Sequence, residues 1–145
     1  MKITGPILIV DDDDDDHVLL QEIFEILGVG KQAIFFHTGY ELLDYMKVNE
    51  VQPFIILCDI NMPPIDGLEL REMICKDSKL RNMSIPYVFF STAAAPVQVK
   101  RAYDLTVQGF FLKAKTFEET QKRIKLILDY WSECRVPSDE DYALA

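Results

Sequence analysis

The residues best equipped for chemistry stand where apolar runs stop. Ile7-Leu8-Ile9-Val10 ends in Asp11-Asp12, Phe54-Ile55-Ile56-Leu57-Cys58 ends in Asp59, Tyr87-Val88-Phe89-Phe90 runs into Ser91-Thr92, and Gly109-Phe110-Phe111-Leu112 ends in Lys113. Carboxylates brought together repel, by roughly 4 kcal/mol for two of them about 4 Å apart at an effective dielectric near 20. A proton or a cation relieves that repulsion. Oxygen donors that leave room for water and phosphate suit magnesium. An aspartate at the end of a buried strand is held rigidly, as a nucleophile must be. A bound dication neutralises both such a carboxylate and incoming phosphoryl oxygens. Lys113 adds a point charge on a flexible stem that can follow a phosphate, and Ser91 adds a hydroxyl donor. Each residue alone has a blander explanation: an aspartate caps a helix, a lysine after an edge strand is solvated, a serine sits in a turn. Capping does not explain a pair of aspartates that face a third.

Whether they face one another depends on the elements that carry them. Five short strand candidates, the four runs above and another, second in chain order, at Ala33 to Phe36, alternate with helical stripes. The stripes are Leu20/Ile23/Phe24/Leu27, Leu42/Leu43/Met46, Leu70/Met73/Ile74, a weaker segment from Val97 to Leu105, and Phe117/Ile124/Ile127/Leu128/Trp131. Strand-then-helix alternation with doubly buried strands predicts a parallel sheet covered by helices on both sides. Right-handed crossovers limit the topology to a few choices. Sites in such sheets form beyond the carboxyl ends of the strands. Asp14 is the expected N-cap of the first helix, with Asp15 and Asp16 in its first turn, where negative charge favours the helix dipole. Asp13 is the member of the run expected to add negative potential near a metal.

Composition narrows the classes further. The 145 residues suit one domain, and 49% apolar content supports a real core. A net charge of −9 argues against nucleic-acid binding. Three cysteines, Cys58, Cys75 and Cys134, match no zinc spacing and point to free thiols in a reducing cytoplasm. No apolar run approaches the roughly 20 residues of a membrane span, and the residues before the acidic run leave no room for a signal sequence.

With these residues placed, the sequence resembles the response-regulator receiver family of two-component signalling. The similarity covers roughly residues 6 to 134. It rests on Ile7-Leu8-Ile9-Val10-Asp11-Asp12, on Asp59-Ile60-Asn61-Met62-Pro63 with Asp66-Gly67, on Ser91-Thr92 and on Phe110-Phe111-Leu112-Lys113. The resemblance implies a flavodoxin-like (CheY-like) doubly wound α/β fold, with five parallel strands in the order 2-1-3-4-5 and five helices. It implies a receiver domain at 1–134 and a short acidic tail at 135–145. It makes Asp59 the phospho-acceptor. Asp12 and Asp59 would bind Mg2+ through side chains, Asn61 through its carbonyl, and Asp11 mainly through water. Ser91 takes the position of the switch hydroxyl, Lys113 pairs with a phosphoryl oxygen or the unmodified carboxylate, and Phe110 matches the aromatic whose rotation accompanies activation. The donor would be a histidine kinase or a histidine phosphotransfer protein, with self-catalysed hydrolysis as the reset. Too few residues follow the last helix for an output domain, so signalling to a downstream protein is expected. Direct contact with nucleic acid or insertion into a membrane is not. The acidic run and Tyr130-Trp131 are similar to a sub-group of single-domain receivers, some of which work beside phytochrome-type kinases.

The chain also departs from the family. Ala114 stands where proline usually follows the lysine, so the loop is expected to hold Lys113 in its own way. Phe110 lacks a tyrosine hydroxyl. Asn61 and Ala93 occupy positions that influence phosphoryl lifetime. Tyr130 and Trp131 have two readings, core or a homodimer face. Rival functions are weak. An EF-hand on Asp11, Asp13, Asp15 and Glu22 would have Asp16 where glycine is needed. A haloacid-dehalogenase-like phosphatase would need a hydroxyl residue at the position of Asp15 and a late acidic cluster. A receiver-like module used only for protein binding would be expected to have lost the acceptor or metal ligands, and all are present.

Overall fold

The structure is a computed structural model, described here for residues 2–92 and 94–137. Five parallel strands, β1 (Ile7–Val10), β2 (Ala33–Phe36), β3 (Ile55–Cys58), β4 (Tyr87–Ser91) and β5 (Gly109–Leu112), form one sheet in the order β2-β1-β3-β4-β5. Among the described residues six α-helices surround it: α1 (Asp14–Ile26), α2 (Gly39–Val48), α3 (Gly67–Lys76), α4 (Ser78–Asn82), α5 (Pro96–Asp104) and α6 (Phe117–Glu133). Sheet order and fold class are those expected from the sequence.

The strands read as continuous apolar runs because both faces are covered, and their two-residue period sorts side chains into two cores. Leu8, Val10, Ile56, Cys58, Tyr87 and Phe89 pack with Leu42 and Met46 of α2, Leu70 and Ile74 of α3, Leu80 of α4 and Ala102 of α5. Ile7, Ile9, Ile55, Leu57, Val88 and Phe90 pack on the other face with Leu20, Ile23 and Phe24 of α1 and with Ile124, Ile127 and Leu128 of α6. Burial of one such side chain stabilises the fold by about 1.5–3 kcal/mol.

Two local features differ from the sequence expectation. First, the described residues form six α-helices rather than five. Asp77 ends α3 and also caps α4, accepting from the Leu80 N–H at 3.1 Å. A five-residue helix with one buried apolar residue leaves no stripe to read. Second, Asp13 rather than Asp14 caps α1. The Asp13 N–H donates to Asp11 Oδ1 at 2.9 Å, and the Asp13 carboxylate accepts from the Asp15 N–H at 2.8 Å. Tying Asp13 back to Asp11 starts the helix at Asp14, one residue earlier than an Asp14 cap would, with Asp14, Asp15 and Asp16 in its first turn.

Candidate functional site

The site begins with backbone bonds that extend the sheet past its strands. Asp11 N–H donates to the Phe36 carbonyl at 3.0 Å, Asp59 N–H to Val10 at 2.9 Å, and Lys113 N–H to Ser91 at 2.8 Å. Val10 pairs with Cys58 and Ser91 with Leu112. The first residue beyond each strand therefore carries its side chain to one common edge. Asp59 is backed by Gly67, where a Cβ would run into the Asp59 carbonyl and the Phe89 ring. Gly67 N–H donates to the Ile60 carbonyl at 2.8 Å, and the buried Tyr87 hydroxyl donates to the Gly67 carbonyl at 2.9 Å. Asp66 closes the loop with a reciprocal capping box to Glu69. The loop between Asp59 and α3 is thus anchored at both ends.

The Asp59 carboxylate is held from two sides. Its Oδ1 accepts from the Ile60 N–H at 2.7 Å and from the buried Ser91 hydroxyl at 2.8 Å. Its Oδ2 faces the Lys113 ammonium at 3.3 Å. That ammonium, with only 9% of its side chain exposed, donates more closely to Asp11 Oδ2 at 2.7 Å and Asp16 Oδ2 at 2.8 Å. Burial alone would depress the lysine, but the hydrogen bonds to Asp11 and Asp16 outweigh it and hold the ammonium above its ordinary range. Burial pushes the Asp11 carboxyl up to about 6, against the Lys113 bond and the Asp13 N–H, which pull it down. Burial likewise raises the Cys58 thiol, which donates weakly to the Asp59 carbonyl and stays inert.

Asp11, Asp12 and Asp59 each bring a carboxylate oxygen within 4.8 Å of the others. Asp12 is exposed while Asp11 and Asp59 are buried, so the cluster opens to water on one side. All-oxygen donors, net negative charge and one open side fit a hard divalent cation. Asn61 follows in the exposed loop, and among the described residues its carbonyl accepts no hydrogen bond. Phe110 is half-buried, its ring 5.4 Å from that of Phe89. Ala93 lies outside the described residues, as does the tail from 138 onward. Among the described residues the one cis peptide is Pro63–Pro64, so Lys113–Ala114 is trans. Arg123 donates to the Leu112 carbonyl at the start of that loop. Trp131 packs against the α1/α6 core, whereas Tyr130 is exposed.

One site residue escaped the sequence reading. Asp16, rather than Asp13, is the member of the acidic run that joins Asp11 at the basic side chain. The signal was present: Asp16 stands four residues before Leu20 and so shares the core-facing stripe of α1. An acidic residue extending that stripe toward the sheet's edge needs a cationic partner there.

A doubly wound parallel sheet whose strand ends converge on a carboxylate cluster and a buried lysine defines a class, the α/β modules with an ionic site at the carboxyl edge. The response regulator receiver domain model matches residues 7–125, and the chain belongs to that family, the receiver-domain response regulators of two-component systems. The chain is 30% identical over 129 residues to the probable methanogenesis regulatory protein FilR2 of Methanothrix harundinacea, covering 86% of this chain and 82% of that protein. It is 26% identical over 132 residues to the response regulator Rcp1 of Synechocystis, covering 88% of each. Among solved structures, the phosphorylated cyanobacterial phytochrome response regulator RcpA superposes with a TM-score of 0.83 at 28% identity, covering 93% of this chain and 99% of that one. Mn2+-bound Rcp1 superposes with a TM-score of 0.74 at 26% identity, covering 91% and 97%. Receiver domains bind Mg2+ or Mn2+ at the acidic pocket and interact with histidine kinases and downstream effectors. Among the described residues no helix is long and apolar enough to cross a membrane.

Proposed function

We propose that Asp59 accepts a phosphoryl group from a phosphohistidine and that the resulting acyl phosphate switches the surface of the module. The observation that carries this reading is the Asp59 carboxylate itself, gripped between a buried hydroxyl at 2.8 Å and a buried ammonium at 3.3 Å. In the proposed cycle an Asp59 oxygen attacks phosphorus in line. The P–N bond to the donor histidine breaks, and its electron pair returns to the imidazole. Lys113 shifts from Asp11 toward a phosphoryl oxygen, and the Ser91 hydroxyl turns from Oδ1 to another. Asp12, Asp59 and the Asn61 carbonyl, with Asp11 acting through water, would hold Mg2+, which would supply charge neutralisation.

Once Ser91 turns, Phe110 gains room to move inward past Phe89. The two-state bias cannot exceed the difference in phosphoryl contacts between the states. Hydrolysis of the acyl phosphate resets the module. The likeness to RcpA supports a phytochrome-type kinase as donor, directly or through a histidine phosphotransfer protein, in a cytoplasmic relay with a protein target. Exposed Tyr130 supports a homodimer face on α6.

Mass spectrometry after acetyl-phosphate treatment, with and without magnesium, tests the reading. The expected result is one labile phosphoryl adduct that needs the metal and is absent from Asp59→Asn. A metal-saturated wild type that never acquires an adduct would leave a binding-only module. Turnover of a free phosphoester would favour a phosphatase.

A further inference from the structure

The chain has two histidines, and the fold puts them side by side. His17 lies one turn into α1. His37 occupies the two-residue connection between β2 and α2. Their ring centroids are 4.5 Å apart, and His37 Nε2 lies 2.5 Å from Asp14 Oδ1. One donor atom from each of His17, His37 and Asp14 lies within 4.8 Å of the other two. None of the three belongs to the carboxylate pocket, and the phosphotransfer reading uses none of them.

His17 is prepared for a ligand in a way that an ordinary surface histidine is not. Its Nε2 is 2.6 Å from the Asp11 carbonyl oxygen. A carbonyl only accepts, so Nε2 carries the proton and Nδ1 keeps its lone pair. Pairing the far ring N–H with a backbone carbonyl is how metal-bound histidines are oriented. The ring is further held against Phe35, with centroids 5.0 Å apart. His37 and Asp14 have side chains 51% and 83% exposed, so both rotate at little cost. The site therefore has one fixed donor and two adjustable ones.

We propose that His17, His37 and Asp14 form a second cation site, separate from the magnesium pocket, for a late first-row divalent ion of the zinc class. Two imidazole nitrogens with one carboxylate oxygen favour Zn2+, Ni2+, Co2+ or Cu2+ over magnesium. Bonds of about 2.0–2.1 Å put the donors of a tetrahedral site about 3.4 Å apart. Adjustment of the two exposed side chains would bring the donors to that spacing, the 2.5 Å His37–Asp14 contact widening to admit the ion. Binding replaces the direct His37–Asp14 contact with one bond from each to the ion, and any proton between them leaves to solvent. Water or Glu41, whose carboxylate accepts from the backbone N–H of His37 at 3.4 Å, completes the shell. The ion would clip the first turn of α1 to the β2–α2 connection.

Isothermal titration of the full chain with Zn2+ in excess Mg2+ tests this, with the Co2+ visible band as a report on nitrogen ligation. One equivalent is expected to bind, with His37→Gln weakening it by more than about tenfold and Asp59→Asn leaving it unchanged. His17→Gln should behave like His37→Gln, and far-UV circular dichroism shows whether each variant is folded. The half-exposed His37 decides the matter should loss of the His17 ring disturb the fold. The proposal is overturned if no zinc binds in excess magnesium, if His37→Gln binds it as wild type does, or if Asp59→Asn abolishes it.

Discussion

Replacing Lys113 by methionine, which keeps the length of the side chain and removes its charge, probes the centre of the site. The ammonium is the cation shared by Asp11, Asp16 and Asp59, at 2.7, 2.8 and 3.3 Å. Lys113 and Asp11 have side chains only 9% and 3% exposed, so water cannot take over the neutralising role. Breaking a buried ionic group by deleting one partner costs about 3–5 kcal/mol, a large part of a typical total of about 5–15 kcal/mol. Without metal, Lys113→Met is therefore expected to unfold at markedly lower urea concentration, by about 3–5 kcal/mol at neutral pH. Magnesium should reverse part of this, because in the proposed reading the dication and the ammonium draw on the same Asp11 and Asp59 carboxylates. An ammonium and a dication about 5 Å apart repel by about 7 kcal/mol at a dielectric near 20. A lysine that can swing aside relieves most of that. The variant is then expected to bind magnesium about tenfold more tightly, or about 1.4 kcal/mol. Urea titrations in chelator and in saturating magnesium read both numbers. A metal-free variant within about 1 kcal/mol of wild type, or an unchanged magnesium affinity, would refute the idea that Lys113 and the metal compete for one set of carboxylates.

Three further outcomes are expected. Ser91→Ala removes a buried donor from Asp59 Oδ1 and should lower stability by about 1–2 kcal/mol; acetyl-phosphate labelling should survive while the chemical-shift change at Phe110 on phosphorylation shrinks. Gly67→Ala forces a methyl against the Asp59 carbonyl and the Phe89 ring; thermal unfolding should register a loss of about 1–3 kcal/mol, accompanied by slower labelling. His37 should titrate above 6.5 by NMR because Asp14 accepts from its ring, and Asp14→Asn should bring the midpoint back down. That pair stabilises the fold below the ordinary histidine range and loses its contribution as pH rises through the elevated midpoint. The contribution is small, since both groups are exposed.

Much of this protein is legible in its sequence because the relevant forces are local or strictly periodic. The runs Ile7–Val10 and Ile55–Cys58 are apolar at every position because both faces are covered, and that alone marks them as interior strands. Asp11, Asp59 and Lys113 are the first residues after strands, so a parallel sheet must carry them to one edge. The α4 helix was not legible, since a five-residue helix held by the Asp77 cap and one buried leucine has no period to detect. Nor was the division of labour within the acidic run. Six consecutive aspartates look alike in sequence, and only three-dimensional packing made Asp11 buried, Asp12 exposed, Asp13 the helix cap, Asp14 the partner of His37 and Asp16 the partner of Lys113. The meeting of His17 with His37 is likewise a product of β1–β2 pairing and the placement of α1 over β2. Which strands form and what chemistry stands at their ends follow from the order of residues, because burial and periodicity act along the chain. Tertiary structure alone decided which charge meets which, because electrostatic partners are chosen by distance through space.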